Sequence, residues 1–158
     1  MKQTDTHIFF YGGIYSQWYN SSMTIDGIRY SCCEQYMMHQ KALLFRDLTT
    51  AAKIMNTSSP KLQNQLGREV INYNDIIWDS RRFDIVFKGN LAKFSQNELL
   101  KSELLNTGNR QFVEASPYDT IWGIGMGLDN PLINDPTKWK GLNLLGQVLN
   151  FVRDTLRK

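Results

Sequence analysis

Residues 23–45 read MTIDGIRYSCCEQYMMHQKALLF and contain the two patterns that decide the fold. Met23-Thr24-Ile25 and Ile28-Arg29-Tyr30 flank Asp26-Gly27, the dipeptide that most readily adopts the positive φ values of a type I′ turn, so we predict a β-hairpin. From Cys33 to Phe45 the apolar residues take up helical spacing, which predicts a helix with apolar character on much of its surface.

The segments on both sides of this stretch predict further short strands and helices. Strands are expected at Ile8–Tyr11 and Gln111–Ala115, each a short apolar run. Helices are expected over 48–56, from Pro60 to about Val70, over 75–94, from an N-cap at Ser95 to Thr107-Gly108, and over 141–156. The predicted fold class is helix-rich α+β, with a small β-sheet and several packed helices in one compact domain over residues 1–158.

Composition and charge narrow the class of protein. The chain has 158 residues, 42% of them apolar and 12% aromatic, which excludes disordered and fibrous proteins. The net charge of +3 is low for a dedicated non-specific DNA-binding protein, although it allows contacts with nucleic acid phosphates. Neither a signal-type apolar segment nor a run of 18 apolar residues occurs, so we expect no membrane association and a cytoplasmic location.

Metal and cofactor sites have little support in the sequence. His7 and His39 are the only histidines, and the adjacent pair Cys32-Cys33 lacks the spacing of a structural zinc site. Neighbouring cysteines rarely form a disulfide, so both are expected to be reduced. We therefore predict no metal and no cofactor. His39 is expected at an exposed or half-buried helix position.

Glu34 and Lys41 are the candidate catalytic pair. They are seven positions apart, and seven steps of 100° bring two side chains to within about 20° of the same helix face. A charged pair on the exposed face of an amphipathic helix is the ordinary alternative. Met38 and Phe45 share the face, however, and a face that mixes Met, Phe, Glu and Lys is either half-buried or lines a pocket.

The second informative segment is the Gly/Pro/Asp-rich stretch 116–140. Structureless segments of this length are uncommon in compact domains and tend to be functional, although a surface insertion is an equal alternative. Gly123-Ile124-Gly125-Met126-Gly127 lacks the context of a nucleotide fingerprint, so a plain turn competes with an anion-binding loop.

These segments resemble the NADAR family, also called YbiA-like, along nearly the whole chain. The resemblance is carried, in family order, by Phe10-Tyr11 with Tyr15-Ser16-Gln17-Trp18-Tyr19, by Glu34-Gln35-Tyr36 with Lys41-Ala42, by Leu66-Gly67-Arg68, by Ala92-Lys93-Phe94, by Glu114 to Gly125 (EASPYDTIWGIG) and by Trp139 to Gly146 (WKGLNLLG). Where many relatives have Asn-Phe after Phe-Ser, this chain has Gln17-Trp18-Tyr19.

The resemblance implies an enzyme that hydrolyses N-glycosidic bonds. Two substrate classes go with it: ADP-ribose linked to guanine amino groups in nucleic acid, and phosphorylated ribosylamino-pyrimidines of riboflavin synthesis. The extended loop favours ADP-ribosyl-guanine, which would make a toxin that adds ADP-ribose a partner of the system. A module that binds ADP-ribose or a nucleotide without cleaving it, or a purely structural partner, would be the alternatives.

Site roles follow from the chemistry of N-ribosyl cleavage, which needs a proton donor and a group that captures the sugar cation. Glu34 is the predicted proton donor and Lys41 the predicted nucleophile. The predicted substrate-binding residues are Trp78, Tyr118 and Trp122 for stacking on a base, Asp119 and Asn143 for sugar hydroxyls or a guanine edge, Arg68 and Lys93 for phosphates, and Tyr11, Ser16 and Gly123 within the matched motifs. We further predict that Trp122 and Asp119 line the same cleft as Glu34, within about 15 Å of its carboxylate.

Overall fold

The computed structural model describes all residues from 1 to 158 and has the predicted helix-rich α+β composition. The strands are β1 (Lys2–Gln3), β2 (His7–Phe10), β3 (Met23–Ile25), β4 (Ile28–Tyr30) and β5 (Gln111–Glu114). The helices are α1 (Cys33–Leu44), α2 (Leu48–Met55), α3 (Pro60–Arg68), α4 (Asp75–Ser95), α5 (Glu98–Leu105) and α6 (Leu144–Leu156). None of these helices is long and apolar enough to cross a membrane.

Internal contacts divide the chain into two compact units. The central unit comprises Gln17–Asn97, and the terminal unit comprises Met1–Ser16 together with Glu98–Lys158. The assignment of 1–158 to one domain therefore stays a prediction.

In the central unit, the hairpin forms where the Asp-Gly dipeptide predicts it. Asp26 and Gly27 both have positive φ, 51° and 80°, as a type I′ turn requires. The turn pairs β3 with β4 antiparallel, with Met23 opposite Tyr30. Met23, Tyr30 and Tyr36 belong to the buried cluster that joins the hairpin to α1. This packing fixes the start of α1, which carries the candidate catalytic pair.

Helix α1 packs against α2, α3 and α4. Two glycines allow α3 and α4 to approach α1 closely. A Cβ on Gly89 of α4 would lie 2.9 Å from Cδ2 of Tyr36, and a Cβ on Gly67 of α3 would overlap Sδ of Met38. Close packing of three helices explains why α1 is buried on most of its surface rather than on one stripe.

In the terminal unit, a three-stranded sheet has the order β1-β2-β5. β1 is antiparallel to β2, and β2 is parallel to β5 with Phe9 opposite Val113. Phe9 and Val113 pack with residues of the long loop, Ile124, Met126 and Ile133, in a second buried cluster. The irregular segment 116–140 thus contributes to a core, and only Pro136–Lys138 forms a short 3₁₀ turn in it.

Two local expectations were wrong. Ser95 is the last residue of α4, where its hydroxyl donates to the Ala92 carbonyl, so it does not cap α5, which begins at Glu98. His39 is buried, with 8% of its surface exposed, because its Nδ1 pairs with the Tyr30 hydroxyl at 2.8 Å. A hydrogen bond to the hairpin lets this histidine lie in the core.

Candidate active site

Helix α1 carries both candidate catalytic residues in the central unit. Glu34 lies in its first turn, where a carboxylate is favoured by the helix dipole, and Lys41 lies in its last. The backbone N–H of Glu34 donates to the Gln17 carbonyl at 3.0 Å, which ties the helix start to the preceding segment. Only 2% of Glu34 is exposed, whereas Lys41 is half-buried. The face that carries them is therefore not an ordinary solvated helix face.

The Glu34 carboxylate has a hydrogen-bond donor on α3. Asn64 Nδ2 donates to Glu34 Oε1 at 2.9 Å. A buried carboxylate requires such a partner, since an unpaired one would carry a large desolvation cost. Asn64 was not identified from the sequence, because the polar periodicity of α3 alone does not show which residue faces α1.

Lys41 lies beside two aromatic rings. Its Nζ is 4.6 Å from the ring centroid of Tyr73 and 5.5 Å from that of Trp78. Desolvation by burial lowers the pKa of Lys41; the Glu34 charge opposes this shift, Arg68 adds to it and Asp75 opposes it. A lysine with a lowered pKa has a larger fraction of neutral, nucleophilic amine at neutral pH.

Tyr73 reaches Lys41 from the loop between α3 and α4. Asp47 holds this loop: its Oδ2 accepts from the Ile71 N–H, and its Oδ1 accepts from the Thr50 N–H at the start of α2, both at 3.0 Å. Asn72 has a φ of 61° in the same loop. The Tyr73 ring also packs edge-on against Phe45. Tyr73 is a second residue that the sequence did not reveal as part of the site.

The residues of the central unit that are predicted to stack on a base or to contact phosphates differ in solvent exposure. Trp78 is largely buried, 7% exposed, with its ring beside Lys41. Arg68 is exposed at the end of α3. Lys93 is fully buried on α4, and its Nζ lies 5.3 Å from the Tyr19 ring centroid. Burial lowers the pKa of Lys93. A phosphate contact by Lys93 would therefore need the side chain to become exposed, and it stays a prediction.

The cysteines beside Glu34 are poor nucleophiles. Cys32 and Cys33 are both free and buried. Burial raises the pKa of the Cys33 thiol to about 12 and also raises that of Cys32. Both therefore stay protonated at neutral pH, so neither offers a thiolate as a nucleophile. No group of three or more His, Cys, Asp or Glu side chains is placed to hold a metal ion.

The terminal unit contains the other predicted binding residues, several of which hold the loop together. Asp119 Oδ1 accepts from the Ile121 and Trp122 N–H groups at 2.9 and 2.8 Å. A Cβ on Gly123 would lie 2.9 Å from the Glu114 carbonyl oxygen. Asn143 is buried, donates through Nδ2 to the Phe112 carbonyl and accepts through Oδ1 from the Glu114 N–H.

The remaining predicted residues of the terminal unit are more accessible. Tyr118 is 87% exposed and Tyr11 55%, whereas Ser16 and Trp122 are half-buried. Since Trp122 and Asp119 lie in the terminal unit and Glu34 in the central unit, their common cleft stays a prediction.

Comparison with known proteins identifies the class. The model of the NADAR domain family matches residues 9–157. An N-glycosidase from Acanthamoeba polyphaga mimivirus is 45% identical over 165 aligned positions, which cover 96% of this chain and 97% of that protein. The NMR structure of Escherichia coli YbiA, 28% identical, superposes with a TM-score of 0.80 over 99% of this chain and 88% of that one.

A riboflavin biosynthesis protein from Vibrio vulnificus is 28% identical over 92% of this chain, which corresponds to 36% of that longer protein. The chain belongs to the NADAR domain family. The N-glycosidases among its relatives confirm that it is an enzyme of the glycosidase class, and the YbiA structure confirms the predicted fold.

Proposed function

We propose that this protein removes ADP-ribose from guanine bases in nucleic acid by hydrolysing the bond between the ribose C1 and the base amino group. The observation that carries the proposal is the environment of Lys41. A half-buried amine with a lowered pKa shares one helix face with the buried Glu34 and lies beside the rings of Tyr73 and Trp78. Such a site offers a nucleophile, an acid and flat apolar surfaces together.

In the proposed mechanism, Glu34 donates its proton to the ring oxygen of the ribose, the ring opens, and C1 stays joined to the base nitrogen as an electrophilic iminium. The neutral amine of Lys41 adds to C1, and a proton passes from Nζ to the base nitrogen. The C1–N bond to the base then breaks, so the base leaves with a neutral amino group and a protonated imine between C1 and Nζ remains. Water adds to C1 and gives a proton to the Glu34 carboxylate, and the C1–Nζ bond breaks to release the sugar and the lysine amine. The aromatic rings beside Nζ stabilise the cationic form of this imine.

Two features of the chain favour a nucleic acid substrate. The extended loop of the terminal unit, with the highly exposed Tyr118, offers a stacking surface for a base of a nucleic acid chain. The mild net charge of +3 is compatible with a phosphodiester substrate. Hydrolysis of a phosphorylated ribosylamino-pyrimidine is the second candidate, favoured by the relative named as a riboflavin biosynthesis protein.

Turnover of the two substrates separates the two candidates. We would incubate the protein with an ADP-ribosylated guanosine oligonucleotide and with a ribosylamino-pyrimidine phosphate and identify the products by mass spectrometry. Release of ADP-ribose and an intact guanine oligonucleotide supports the proposal. Cleavage of the pyrimidine compound alone would support the second candidate, and saturable ADP-ribose binding without either product would indicate a non-catalytic module.

Paired substitutions test the catalytic residues. Lys41→Arg keeps the charge but removes the nucleophile, so turnover should be abolished while ligand binding is retained. Glu34→Gln removes the proton donor and should slow turnover by about 10²–10⁴-fold. Lys53→Arg and Glu103→Gln make the same chemical changes at exposed helix positions and should leave turnover unchanged.

Borohydride added during turnover should leave a sugar adduct on Lys41, detectable by peptide mass spectrometry. If Lys41→Arg stays active and wild-type protein gains no adduct, water attacks the sugar directly and Lys41 is an electrostatic contact.

A further inference from the structure

We infer that Tyr73 is a positioning residue that shields the amine of Lys41 from water, and that Asp47 anchors the loop that carries Tyr73; this inference rests on the function proposed above. The Lys41 amine lies beside two rings, with Nζ 4.6 Å from the Tyr73 centroid and 5.5 Å from that of Trp78. Trp78 is only 7% exposed, whereas Tyr73 is 42% exposed. Of the two rings, Tyr73 is the one that reaches solvent, so moving it away would expose Nζ to water.

Phe45 holds the Tyr73 ring against the end of α1. The two rings pack edge-on, with their centroids 5.4 Å apart. Phe45 is itself fixed, because its backbone N–H donates to the Lys41 carbonyl at 3.2 Å and the residue is buried. These contacts form a closed set: Phe45 is tied to the backbone of Lys41, Tyr73 packs on Phe45, and the side chain of Lys41 returns to Tyr73.

Asp47 connects the loop of Tyr73 to the start of α2. Its Oδ1 accepts from the Thr50 N–H and its Oδ2 accepts from the Ile71 N–H, both at 3.0 Å. An ionised carboxylate can serve both donors, because each of its oxygens is an acceptor. Hydrogen bonds from Thr50 and Ile71 lower the pKa of Asp47, so it keeps both acceptors at neutral and alkaline pH. Ile71 lies two residues before Tyr73, and its contact with Asp47 therefore restricts where the ring can lie.

Charged side chains on three helices also act on the Lys41 amine. Burial is the main cause of its lowered pKa; Glu34 on α1 opposes the shift, Arg68 of α3 adds to it, and Asp75 of α4 opposes it. Burial raises the pKa of Tyr73 to about 12, so its phenol stays neutral well into the alkaline range. Since burial is the main cause, removing the Tyr73 ring should raise the pKa of Lys41, even though a cation–π contact is lost with the ring.

Competitive amine labelling at several pH values, read by peptide mass spectrometry, follows Lys41 without substrate. Tyr73→Ala should move the labelling profile to higher pH, whereas Tyr73→Phe keeps the ring and should match wild type. Asp47→Ser should also move it to higher pH, since serine still caps α2 but has no second oxygen for Ile71. The double variant Tyr73→Ala/Asp47→Ser should move it no further than Tyr73→Ala, because both changes remove the same shield. Asp135→Ser makes the same chemical change at an exposed 3₁₀ turn and should have the wild-type profile.

Several results of this labelling would overturn the inference. A wild-type profile in Tyr73→Ala, or a movement to lower pH, would mean that the ring does not shield the amine. Equal movements in Tyr73→Phe and Tyr73→Ala would assign the effect to the phenol hydroxyl. A wild-type profile in Asp47→Ser, or an additive double variant, would show that Asp47 does not act through Tyr73. An unfolded Asp47→Ser protein would make Asp47 a residue of the fold and remove it from the inference, while the two Tyr73 variants still decide the role of the ring.

Turnover of the ADP-ribosylated oligonucleotide gives a second readout. Only the neutral amine of Lys41 reacts, so a raised pKa should lower the kcat of Tyr73→Ala most at neutral pH, and the difference from wild type should shrink as the pH rises. A loss by a constant factor across the pH range would indicate a purely structural role and overturn the inference.

The two readouts separate this inference from the proposed function. If the protein cleaves neither substrate and the labelling profiles move as expected, the proposed function fails and the shielding of Lys41 by Tyr73 stands. An active enzyme whose Tyr73→Ala variant has the wild-type labelling profile would overturn the inference alone.

Discussion

Replacing Gly67 by alanine should destabilise the central unit, because α3 and α1 touch at this position. A Cβ built on Gly67 overlaps Met38 Sδ and lies 2.8 Å from Met38 Cγ and 3.3 Å from Met38 Cβ. A new rotamer of Met38 can move Sδ and Cγ. It cannot move Cβ, which is attached to the backbone of α1, so the two helices must also separate by a few tenths of an ångström.

Two opposing effects set the magnitude of this change. Alanine is the better helix former, by about 1 kcal/mol at an interior position. Overpacking a well-packed core costs about 1–3 kcal/mol, and Met38 is only 6% exposed. We expect overpacking to win and the free energy of unfolding to fall by about 1 kcal/mol. With a urea m-value of about 1–3 kcal/mol/M, the unfolding midpoint should fall by about 0.3–1 M.

Urea unfolding followed by circular dichroism measures this difference. The double variant Gly67→Ala/Met38→Ala removes the Sδ and Cγ overlaps, so its loss should be smaller than the sum of the two single losses. Gln65→Ala serves as control, since the residue is exposed on the same helix. If Gly67→Ala were as stable as wild type or more stable, the reasoning that overpacking against Met38 outweighs helix propensity would be refuted.

Two further predictions concern the charge of Lys41 and the amide of Asn143. Arg68 contributes to the lowered pKa of Lys41, so Arg68→Gln should raise that pKa and move the reactivity of Lys41 to higher pH, most clearly at low salt. Competitive amine labelling at several pH values, read by peptide mass spectrometry, measures this movement, and a movement to lower pH would contradict the prediction. Asn143→Gly keeps the left-handed backbone (φ 52°) but removes both side-chain hydrogen bonds to β5. The free energy of unfolding, measured by thermal or urea unfolding, should therefore fall by about 1–3 kcal/mol. Unchanged stability with a raised KM would instead make Asn143 a ligand contact.

The sequence predicted the local elements of the fold well, since their signals lie within a few residues. Asp26-Gly27 indicated the hairpin, Pro60 indicated the start of α3, and runs of apolar residues indicated the helices α1, α4 and α6. Helix α6 begins at Leu144, three residues after the predicted start near Gly141. The capping prediction at Ser95 was wrong because the apolar pattern of α4 extends as far as Phe94, and the helix therefore includes Ser95. Competing local signals of this kind are decided by packing, which the sequence does not display.

The candidate site could be predicted only in the part that lies on one helix. The seven-residue spacing of Glu34 and Lys41 gives their common face directly. Asn64 and Tyr73 are 30 and 32 residues away from the residues that they contact, and nothing in a periodic pattern links such positions. Asp47 could be predicted even less, because it does not contact Lys41 but accepts a hydrogen bond from Ile71 in the loop that carries Tyr73.

The long loop of the terminal unit shows that a family motif combines two kinds of residue. Asp119, Gly123 and Asn143 each have a structural explanation, because they hold backbone groups or allow the backbone to approach closely. Asn143 uses both its amide nitrogen and its amide oxygen in this way, which leaves it less able to recognise a base edge. Tyr118, 87% exposed, and the half-buried Trp122 lack such an explanation. An exposed aromatic ring is suited to stack on a base, so the predicted binding role of these two side chains, unlike that of Asn143, is not opposed by a structural role, and it stays a prediction.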